Sequence, residues 1–340
     1  MKKISLFILS LFAIFFHAQK IELQTLLKAK ISIRAIQFWD GKVWYAGTDS
    51  KFGYVSLKDP ADQKQIALAD KKLQFRTLAQ NKTAFYAINI ESPAYFFKIA
   101  KKSLEHQIVF KDTLKTAFYD ALHFVNDNRA YAFSDPDSDL NMKLAVFNAK
   151  TRNPWYGIGH RGTLKLNKGE AAFAASNSII ESSYPYLWIA TGGVVSRVFR
   201  HDFKNGRWEV FNTPFIQGSS SQGIYSIDFY NRKFGIAVGG DYTKQEQNIN
   251  NIATTNDGGK TWQIQASGMN GGYKTCVKIR PKSRGKDIIA VGDQHIEFSS
   301  DFGKTWTKIS DEKGLYVCEW IDRNTVVFAG KDRIVKMTVR

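Results

Sequence analysis

An eight-residue segment that occurs twice, 44 residues apart, constrains the fold more than any other feature of the sequence. Residues 255–262 and 299–306 both fit the pattern Ser/Thr-x-Asp-x-Gly-x-Thr-Trp. The Asp carboxylate can accept hydrogen bonds from backbone N–H groups of a turn, and the Gly can adopt positive φ values. The Trp can anchor the turn by burying a large ring. Each copy therefore predicts a β-hairpin turn. The structural residues of the two turns are Asp257, Gly259, Trp262, Asp301, Gly303 and Trp306.

A longer repeat runs through the chain with a period of 42 to 55 residues. Each unit starts with a short apolar strand, and a second strand follows that contains small residues, such as Ala46 and Gly47 in the first unit. Four strands per unit at this period are typical of β-propeller blades. The sequence therefore predicts an all-β, seven-bladed β-propeller. The seven units start at Arg34, Arg76, Asp120, Glu170, Tyr225, Lys274 and Tyr316.

The two ends of the chain predict how the propeller closes. The last unit reaches only three strands, whereas residues 20–27 form a strand with no unit of its own. Pairing residues 20–27 as the outer strand of the last blade would remove two exposed edges. We therefore expect residues 20–340 to form a single, monomeric propeller domain whose last blade is closed by the N-terminal strand.

The first 19 residues have the pattern of a signal peptide. Lys2 and Lys3 precede an apolar run at residues 4–16, and a cleavage site is expected after Ala18 or Gln19. The run is too short to span a bilayer, so no transmembrane anchor is expected. This pattern predicts that the protein is exported and becomes periplasmic or secreted.

The charge of the chain bears on its partner. Cleavage would remove Lys2 and Lys3 and lower the net charge from +17 to about +15. After export, a protein partner with an acidic surface or an anionic glycan is a better candidate than nucleic acid. The lysines are dispersed, so a solvated surface without any specific partner also fits the same composition.

The two cysteines, Cys276 and Cys318, allow one disulfide. They fall at equivalent positions of adjacent units. Such positions face the same way and need not lie within bonding distance of each other. We favour two buried thiols.

In a propeller, the residues that start the inner strands surround the mouth of the central channel. Arginines beside carboxylates and tyrosines could bind a ligand that carries carboxylate or hydroxyl groups. The same polar ring would also result if water fills the channel mouth and opposite charges neutralise each other. The candidate binding residues are Arg34, Arg76, Asp120, Glu170, Ser176, Asn177, Tyr225, Asp241, Lys274 and Tyr316.

A carbohydrate-active enzyme or lectin of the sialidase type is an alternative use of the same mouth. Such an enzyme needs three arginines with a tyrosine and a glutamate beside them, and the sequence offers Arg34, Arg76, Arg197, Tyr225 and Glu170. The Arg-Ile-Pro motif of sialidases is absent. The sequence also lacks a phosphate-binding Gly-rich loop, metal-ligand spacing of its histidines and a Gly-x-Ser-x-Gly elbow. We therefore expect a non-catalytic protein without a cofactor or a metal.

The eight-residue turns resemble the Asp-box found in sialidases and many other propellers. Together with residues 32–36, 118–122, 134–136 and 169–177, they resemble bacterial relatives of the photosystem II stability/assembly factor propellers. The resemblance runs from about residue 21 to residue 340. It implies a seven-bladed, non-catalytic scaffold that uses one basic face to hold a protein during assembly.

Overall fold

The computed structural model describes residues 21–159 and 164–339. Those two ranges contain 28 β-strands and no helix. The predicted signal peptide, residues 1–19, lies outside the described residues. The strands are β1 (Ile21–Trp39), β2 (Lys42–Gly47), β3 (Lys51–Ser56), β4 (Gln63–Ala67), β5 (Ala79–Gln80), β6 (Ala84–Ile88), β7 (Ala94–Ala100), β8 (His106–Asp112), β9 (Tyr119–Asn126), β10 (Arg129–Ser134), β11 (Lys143–Asn148), β12 (Trp155–Gly159), β13 (Glu170–Ala171), β14 (Ile180–Ser183), β15 (Tyr186–Ala190), β16 (Gly192–Gly193), β17 (Arg197–Asp202), β18 (Arg207–Asn212), β19 (Gln222–Phe229), β20 (Gly235–Asp241), β21 (Ile252–Thr255), β22 (Gln263–Ile264), β23 (Cys276–Ile279), β24 (Ile288–Val291), β25 (Ile296–Ser299), β26 (Thr307–Ser310), β27 (Leu315–Trp320) and β28 (Thr325–Val339).

The second strand of most units is buried on both faces. Every residue of β6, β20 and β24 is buried, although strands with one solvated face would alternate between buried and exposed positions. Apolar side chains on both faces are explained if each sheet is covered by a neighbouring sheet on either side. The core therefore lies between the sheets and consists mainly of Ile, Val, Leu, Phe and Trp side chains.

The strands form six hydrogen-bonded sheets, all antiparallel, and together they make a six-bladed β-propeller. The described residues contain no helix that is long and apolar enough to cross a membrane. The strand orders are β27-β28-β1-β2-β3-β4, β5-β6-β7-β8, β12-β11-β10-β9, β14-β15-β17-β18, β13-β16-β19-β20-β21-β22 and β23-β24-β25-β26.

The prediction of seven blades is wrong, because the first and the last repeat unit share one sheet. Strand β28 pairs with β27 up to Gly330 and continues without a break to pair with β1, from Lys331 to Val339. Strand β1 likewise pairs with β28 up to Ser32 and then with β2 from Ile33 onward. Because β1 and β28 both run through the expected boundary between the last and the first unit, these two units form one sheet. The described strands therefore form six sheets, and the N-terminal strand joins two units.

A second difference concerns the unit that was expected to start at Glu170. The two-residue strand β13 pairs with β16, and β16 pairs in turn with β19. The strand that lines the channel in this unit is β14, which starts ten residues later at Ile180. Glu170 is therefore not equivalent in position to Arg34 or Tyr225.

The two eight-residue segments form the turns that follow β21 and β25. In the first turn, the Asp257 carboxylate accepts hydrogen bonds from the Thr261 N–H (2.9 Å) and the Thr261 hydroxyl (2.6 Å). Gly259 has a φ of +83°, and its carbonyl accepts a hydrogen bond from the Trp262 indole at 3.0 Å. Asp301, Gly303, Thr305 and Trp306 repeat these contacts in the second turn.

Replacing Asp257 by Ala should lower the free energy of unfolding by about 1–2 kcal/mol, because three hydrogen bonds to a charged acceptor are lost, one from the Thr255 hydroxyl and two from Thr261. Burial opposes ionisation of Asp257, but the bonds from Thr261 outweigh it and lower the pKa of this carboxyl below 3.8. The stabilisation is therefore present above pH 3.8 and is lost as the pH falls through the lowered pKa. Urea denaturation measures the free energy of unfolding of the variant. The control is Lys260→Ala in the same turn, which should change the free energy of unfolding by no more than about 0.5 kcal/mol. Equal costs for the two variants would contradict the role of the carboxylate.

Candidate functional site

Three of the predicted ring residues reach the channel mouth because each is the extra residue of a β-bulge. Ile33 and Ala35 pair with the adjacent residues Gly47 and Ala46, which leaves Arg34 unpaired. Tyr225 in β19 and Tyr316 in β27 are skipped in the same way. A bulge re-aims its extra side chain out of the sheet. The bulges thereby turn Arg34, Tyr225 and Tyr316 into the mouth.

The bulges also explain the glycines that end the second strands. A Cβ atom on Gly239 would overlap the carbonyl oxygen of Gly223, and one on Gly330 would overlap that of Gly314. The inner strand and the second strand approach each other too closely there for any side chain. The small-residue clusters of the repeat are therefore part of the construction of the mouth.

This space, which we call the mouth cavity, has a volume of about 370 Å³, and its lining is rich in arginine and tyrosine. It combines two cations with aromatic rings and one carboxylate, that of Asp293. Its side chains come from six of the seven predicted units. The lining residues used below are Arg34, Arg76, Phe173, Tyr225, Tyr242, Tyr273, Asp293 and Tyr316.

The two arginines make this cavity electropositive. The Arg34 guanidinium lies 4.1 Å from the ring centre of Tyr316 and donates a hydrogen bond to the Ala175 carbonyl at 3.2 Å. Burial and the nearby charge of Arg34 lower the pKa of Arg76 below its usual value. Within residues 21–159 and 164–339, neither guanidinium has a carboxylate within 4 Å. Two adjacent guanidiniums without such a partner are suited to bind an anion.

The aromatic wall of the mouth cavity is rigid. Tyr225 stacks on Phe173 with ring centres 3.9 Å apart, and Tyr273 packs edge-on against it at 4.9 Å. The Tyr225 hydroxyl donates a hydrogen bond to the Ser221 carbonyl at 2.7 Å. Burial raises the pKa of Tyr225 and of Tyr273, so both phenols stay protonated at neutral pH. Tyr242, by contrast, is half exposed at the rim.

Asp120, which was expected in the same ring, is fully buried and does not line the cavity. Neither of its carboxylate oxygens has a donor in good hydrogen-bond geometry among the described residues. Burial, and then the nearby Asp135, raise the pKa of Asp120 well above 3.8, against the opposing effect of Arg76. The surroundings of Asp120 therefore favour its neutral form more than water does.

Glu170 and Arg197 pair with each other at a separate place. The Arg197 guanidinium donates to both Glu170 oxygens, at 2.6 Å for the shortest contact, and Thr191 also donates to this carboxylate. Neither residue lines the mouth cavity. The arginine triad of the sialidase alternative is therefore not assembled, because Arg197 does not join Arg34 and Arg76.

The remaining predicted residues have structural contacts. Lys274 is buried in an ion pair with Glu297, and Asp241 accepts hydrogen bonds from the Thr243 N–H and hydroxyl. Asn177 accepts a hydrogen bond from the Leu122 N–H at 2.7 Å, so it links neighbouring inner strands. Ser176 donates to the Thr275 carbonyl at 2.6 Å. None of the four lines the mouth cavity.

Further along the same inner strands lies a second space, the lower cavity, with a volume of about 360 Å³. Lys278 pairs with Glu319 at 3.2 Å, and His123 contacts the Ser182 hydroxyl at 2.8 Å. Burial, assisted by Lys278, lowers the pKa of His123 to about 4. The lower cavity contains more acidic groups than the mouth, so the two ends of the channel differ in charge. Its polar lining includes Gln37, Gln80, His123, Ser176, Asn177, Glu181, Lys278 and Glu319.

The sequence contained a signal for the lower cavity. In the segments that start the units, the residue before the last apolar position is Gln37, His123, Asp228, Lys278 or Glu319. A polar residue at the same place in five apolar strands indicates a side chain that faces the channel. The residues that start the strands do not reveal this second position. Among the residues that the structure describes, no three His, Cys, Asp or Glu side chains are grouped to hold a metal ion.

Comparison with known proteins identifies the fold class. No protein-family model and no curated protein matches the chain. Among solved structures, the WD40 repeats of RRP9 share 12% identity and a TM-score of 0.66, with 94% of this chain and 100% of that chain covered. The structure of U3-55K shares 13% identity and a TM-score of 0.63, with 93% of this chain and 98% of that chain covered. YCF48 from Cyanidioschyzon merolae shares 13% identity and a TM-score of 0.66, with 93% of this chain and 98% of that chain covered. At these identities the likeness establishes a β-propeller and no more.

Proposed function

We propose that this propeller is a non-catalytic binding scaffold that holds a protein partner at the mouth cavity. The observation that carries the proposal is that Arg34 and Arg76 both line a cavity walled by tyrosines, while no carboxylate of residues 21–159 and 164–339 lies within 4 Å of either guanidinium. An exposed Asp or Glu side chain of a partner could form an ion pair with these arginines. The resemblance of the sequence to the assembly-factor propellers supports the same role.

The shape and composition of the mouth suit protein recognition. Arg and Tyr are enriched among residues that dominate binding energy at protein interfaces. The stacked Tyr225 and Phe173 hold their positions before binding, so little side-chain entropy is lost. The half-exposed Tyr242 adds contact area at the rim. A partner with an acidic residue beside an apolar one would meet both parts of this surface.

The proposal predicts that an Arg34→Ala/Arg76→Ala variant loses its partner. Purified protein lacking residues 1–19 is immobilised, exposed to envelope extract, and the captured proteins are quantified by mass spectrometry. Loss of two central arginines should weaken binding by about 30-fold or more. The matched control is Arg152→Ala/Arg207→Ala, which removes the same charge at exposed positions away from the mouth. The control should capture as much partner as the wild type.

Other outcomes have distinct meanings. Equal loss in both variants would show a non-specific charge effect and would remove the assignment of the mouth. Binding to an array of anionic glycans, abolished by the mouth variant while no protein is captured, would replace the protein partner with a glycan. Equal melting temperatures of the two variants would exclude unfolding as the cause of any loss.

A further inference from the structure

The two cysteines of the chain meet in the wall of the channel. Cys276 lies on β23 and Cys318 on β27, in the inner strands of neighbouring sheets. Their sulfur atoms are 3.8 Å apart, and both residues are free thiols with no exposed surface. A disulfide needs a separation of about 2 Å between sulfurs, so the two sulfur atoms must approach each other further before the bond can form. Equivalent positions of adjacent units do meet here.

The two thiols differ in their electrostatic surroundings. Burial opposes ionisation of Cys276, but the Cys318 thiol and the Lys278 ammonium outweigh it and lower the pKa of Cys276 to about 7. Burial and the interaction with Cys276 raise the pKa of Cys318 well above 9.0. Because the thiolate is the nucleophile, Cys276 is the attacking group and Cys318 the resolving one.

The lower cavity provides a route to this pair. The Ser178 hydroxyl lies 3.8 Å from the Cys276 sulfur, and Ser178 lines the cavity. Lys278, Val317 and Glu319, which flank the two cysteines in sequence, line it as well. A small oxidant that enters the lower cavity therefore comes next to Ser178, which contacts Cys276, and to residues adjacent to Cys318 in sequence.

We propose that Cys276 and Cys318 form an oxidation site in the channel wall, which takes a small peroxide and closes an intramolecular disulfide. The Cys276 thiolate attacks one peroxide oxygen, so an S–O bond forms, the O–O bond breaks and hydroxide leaves as water after taking a proton. The Cys318 sulfur then attacks the sulfenic acid, which forms the S–S bond and releases a second water. Two thiols are oxidised, and one peroxide is reduced to two waters.

The new bond would connect two sheets of the propeller. Cys318 belongs to the six-stranded sheet that pairs β1 with β28, and Cys276 belongs to the sheet beside it. The link spans 42 residues of sequence and would restrict the unfolded chain. The oxidised protein should therefore melt at a higher temperature than the reduced protein, by about 5 °C.

The test uses the folded wild-type protein, treated with hydrogen peroxide, quenched and alkylated in urea. We expect both thiols to become unreactive, the intact mass to fall by about 2 Da, and the chain to stay monomeric on a non-reducing gel. In a Cys318→Ser variant, dimedone should trap a sulfenic acid at Cys276. In a Cys276→Ser variant, the remaining thiol should react at least about 10-fold more slowly.

Three results would overturn the proposal. The thiols could stay reactive at peroxide concentrations that oxidise the urea-unfolded protein. The two single-cysteine variants could react at equal rates, or the wild type could form disulfide-linked dimers. An unchanged melting temperature after complete oxidation would also contradict the connection between sheets. The wild-type thiol count needs no substitution, so a variant that fails to fold does not affect it.

Discussion

Replacing Glu297 by Gln should lower the free energy of unfolding by about 3–5 kcal/mol, because it leaves a buried cation without a counter-charge. Lys274 is fully buried, and its ammonium lies 2.5 Å from a Glu297 oxygen. The ammonium keeps its hydrogen bonds to Asn270 (3.0 Å) and the Gly272 carbonyl (2.9 Å) in the variant, but these acceptors are neutral. Urea denaturation at neutral pH measures the loss.

Two further variants separate charge from packing. Adding Lys274→Met to the Glu297→Gln protein should recover much of the lost stability, because no buried charge then remains. Glu312→Ala removes a partner of Arg333 at the surface, where about a third of each side chain is exposed, and should cost less than about 1 kcal/mol. A Glu297→Gln cost no larger than that of Glu312→Ala would contradict the prediction.

The pH dependence of the Glu297 effect follows from its pKa. Burial opposes ionisation, but the His295 side chain and the Lys274 ammonium outweigh it and lower the pKa of Glu297 to about 2. In the unfolded chain the ordinary value is 4.5. The stabilisation is therefore complete above pH 4.5 and is lost as the pH falls towards 2. Unfolding curves at pH 7, 4 and 3 should converge for the wild type and the Gln variant as the pH falls.

The sequence predicted local structure well, because the features that specify it are local. The turns at Asp257 and Asp301 need only the residues of one eight-residue segment to satisfy their hydrogen bonds. The strands follow from short apolar runs, and the glycines at the ends of the second strands mark the close approach of two strands. These signals lie within a few residues of the structures that they specify.

The number of blades depends on a different kind of information. Seven repeat units are present, but whether two units form separate sheets depends on pairing between the ends of the chain. Residues 331–339 pair with residues 21–32 across almost the full length of the sequence. No local pattern indicates that β1 and β28 both pass through the boundary without a break, so counting units overestimated the number of sheets.

The candidate site was predicted in part, for a reason that the bulges make clear. Arg34, Tyr225 and Tyr316 reach the mouth because a bulge turns each of them outward. Asp120 is also skipped in the pairing of β9 with β10, yet it is fully buried and does not line the cavity. Lys274 precedes its strand and pairs with Glu297 instead. Position within the repeat indicates the region in which an inner strand runs, whereas the exposure of each side chain there depends on neighbours that are distant in sequence.

The second large effect should come from Trp188, whose replacement by Ala should cost about 3–5 kcal/mol. Trp188 lies on β15 and is fully buried, and its ring stacks on Phe229 of the next sheet with centres 3.7 Å apart. Its indole N–H also donates to the Gly258 carbonyl, in the turn that contains Asp257, at 2.9 Å. One side chain thus joins two sheets, and removing it leaves a large cavity between them.

Trp188→Phe distinguishes the ring from the hydrogen bond. The Gly258 carbonyl also accepts a bond from the Arg200 guanidinium at 2.8 Å, so it does not become an unpaired buried acceptor when the indole is lost. Trp188→Phe should therefore cost clearly less than Trp188→Ala, with Met269→Ala, 76% exposed, as a control without measurable effect. Equal costs for the Phe and Ala variants, measured by urea denaturation, would assign the stabilisation to the hydrogen bond. A smaller cost for Trp188→Phe than for Trp188→Ala, which we expect, assigns the stabilisation to the stacked rings of Trp188 and Phe229. Contact between sheets then stabilises this propeller more than a turn such as that of Asp257 does.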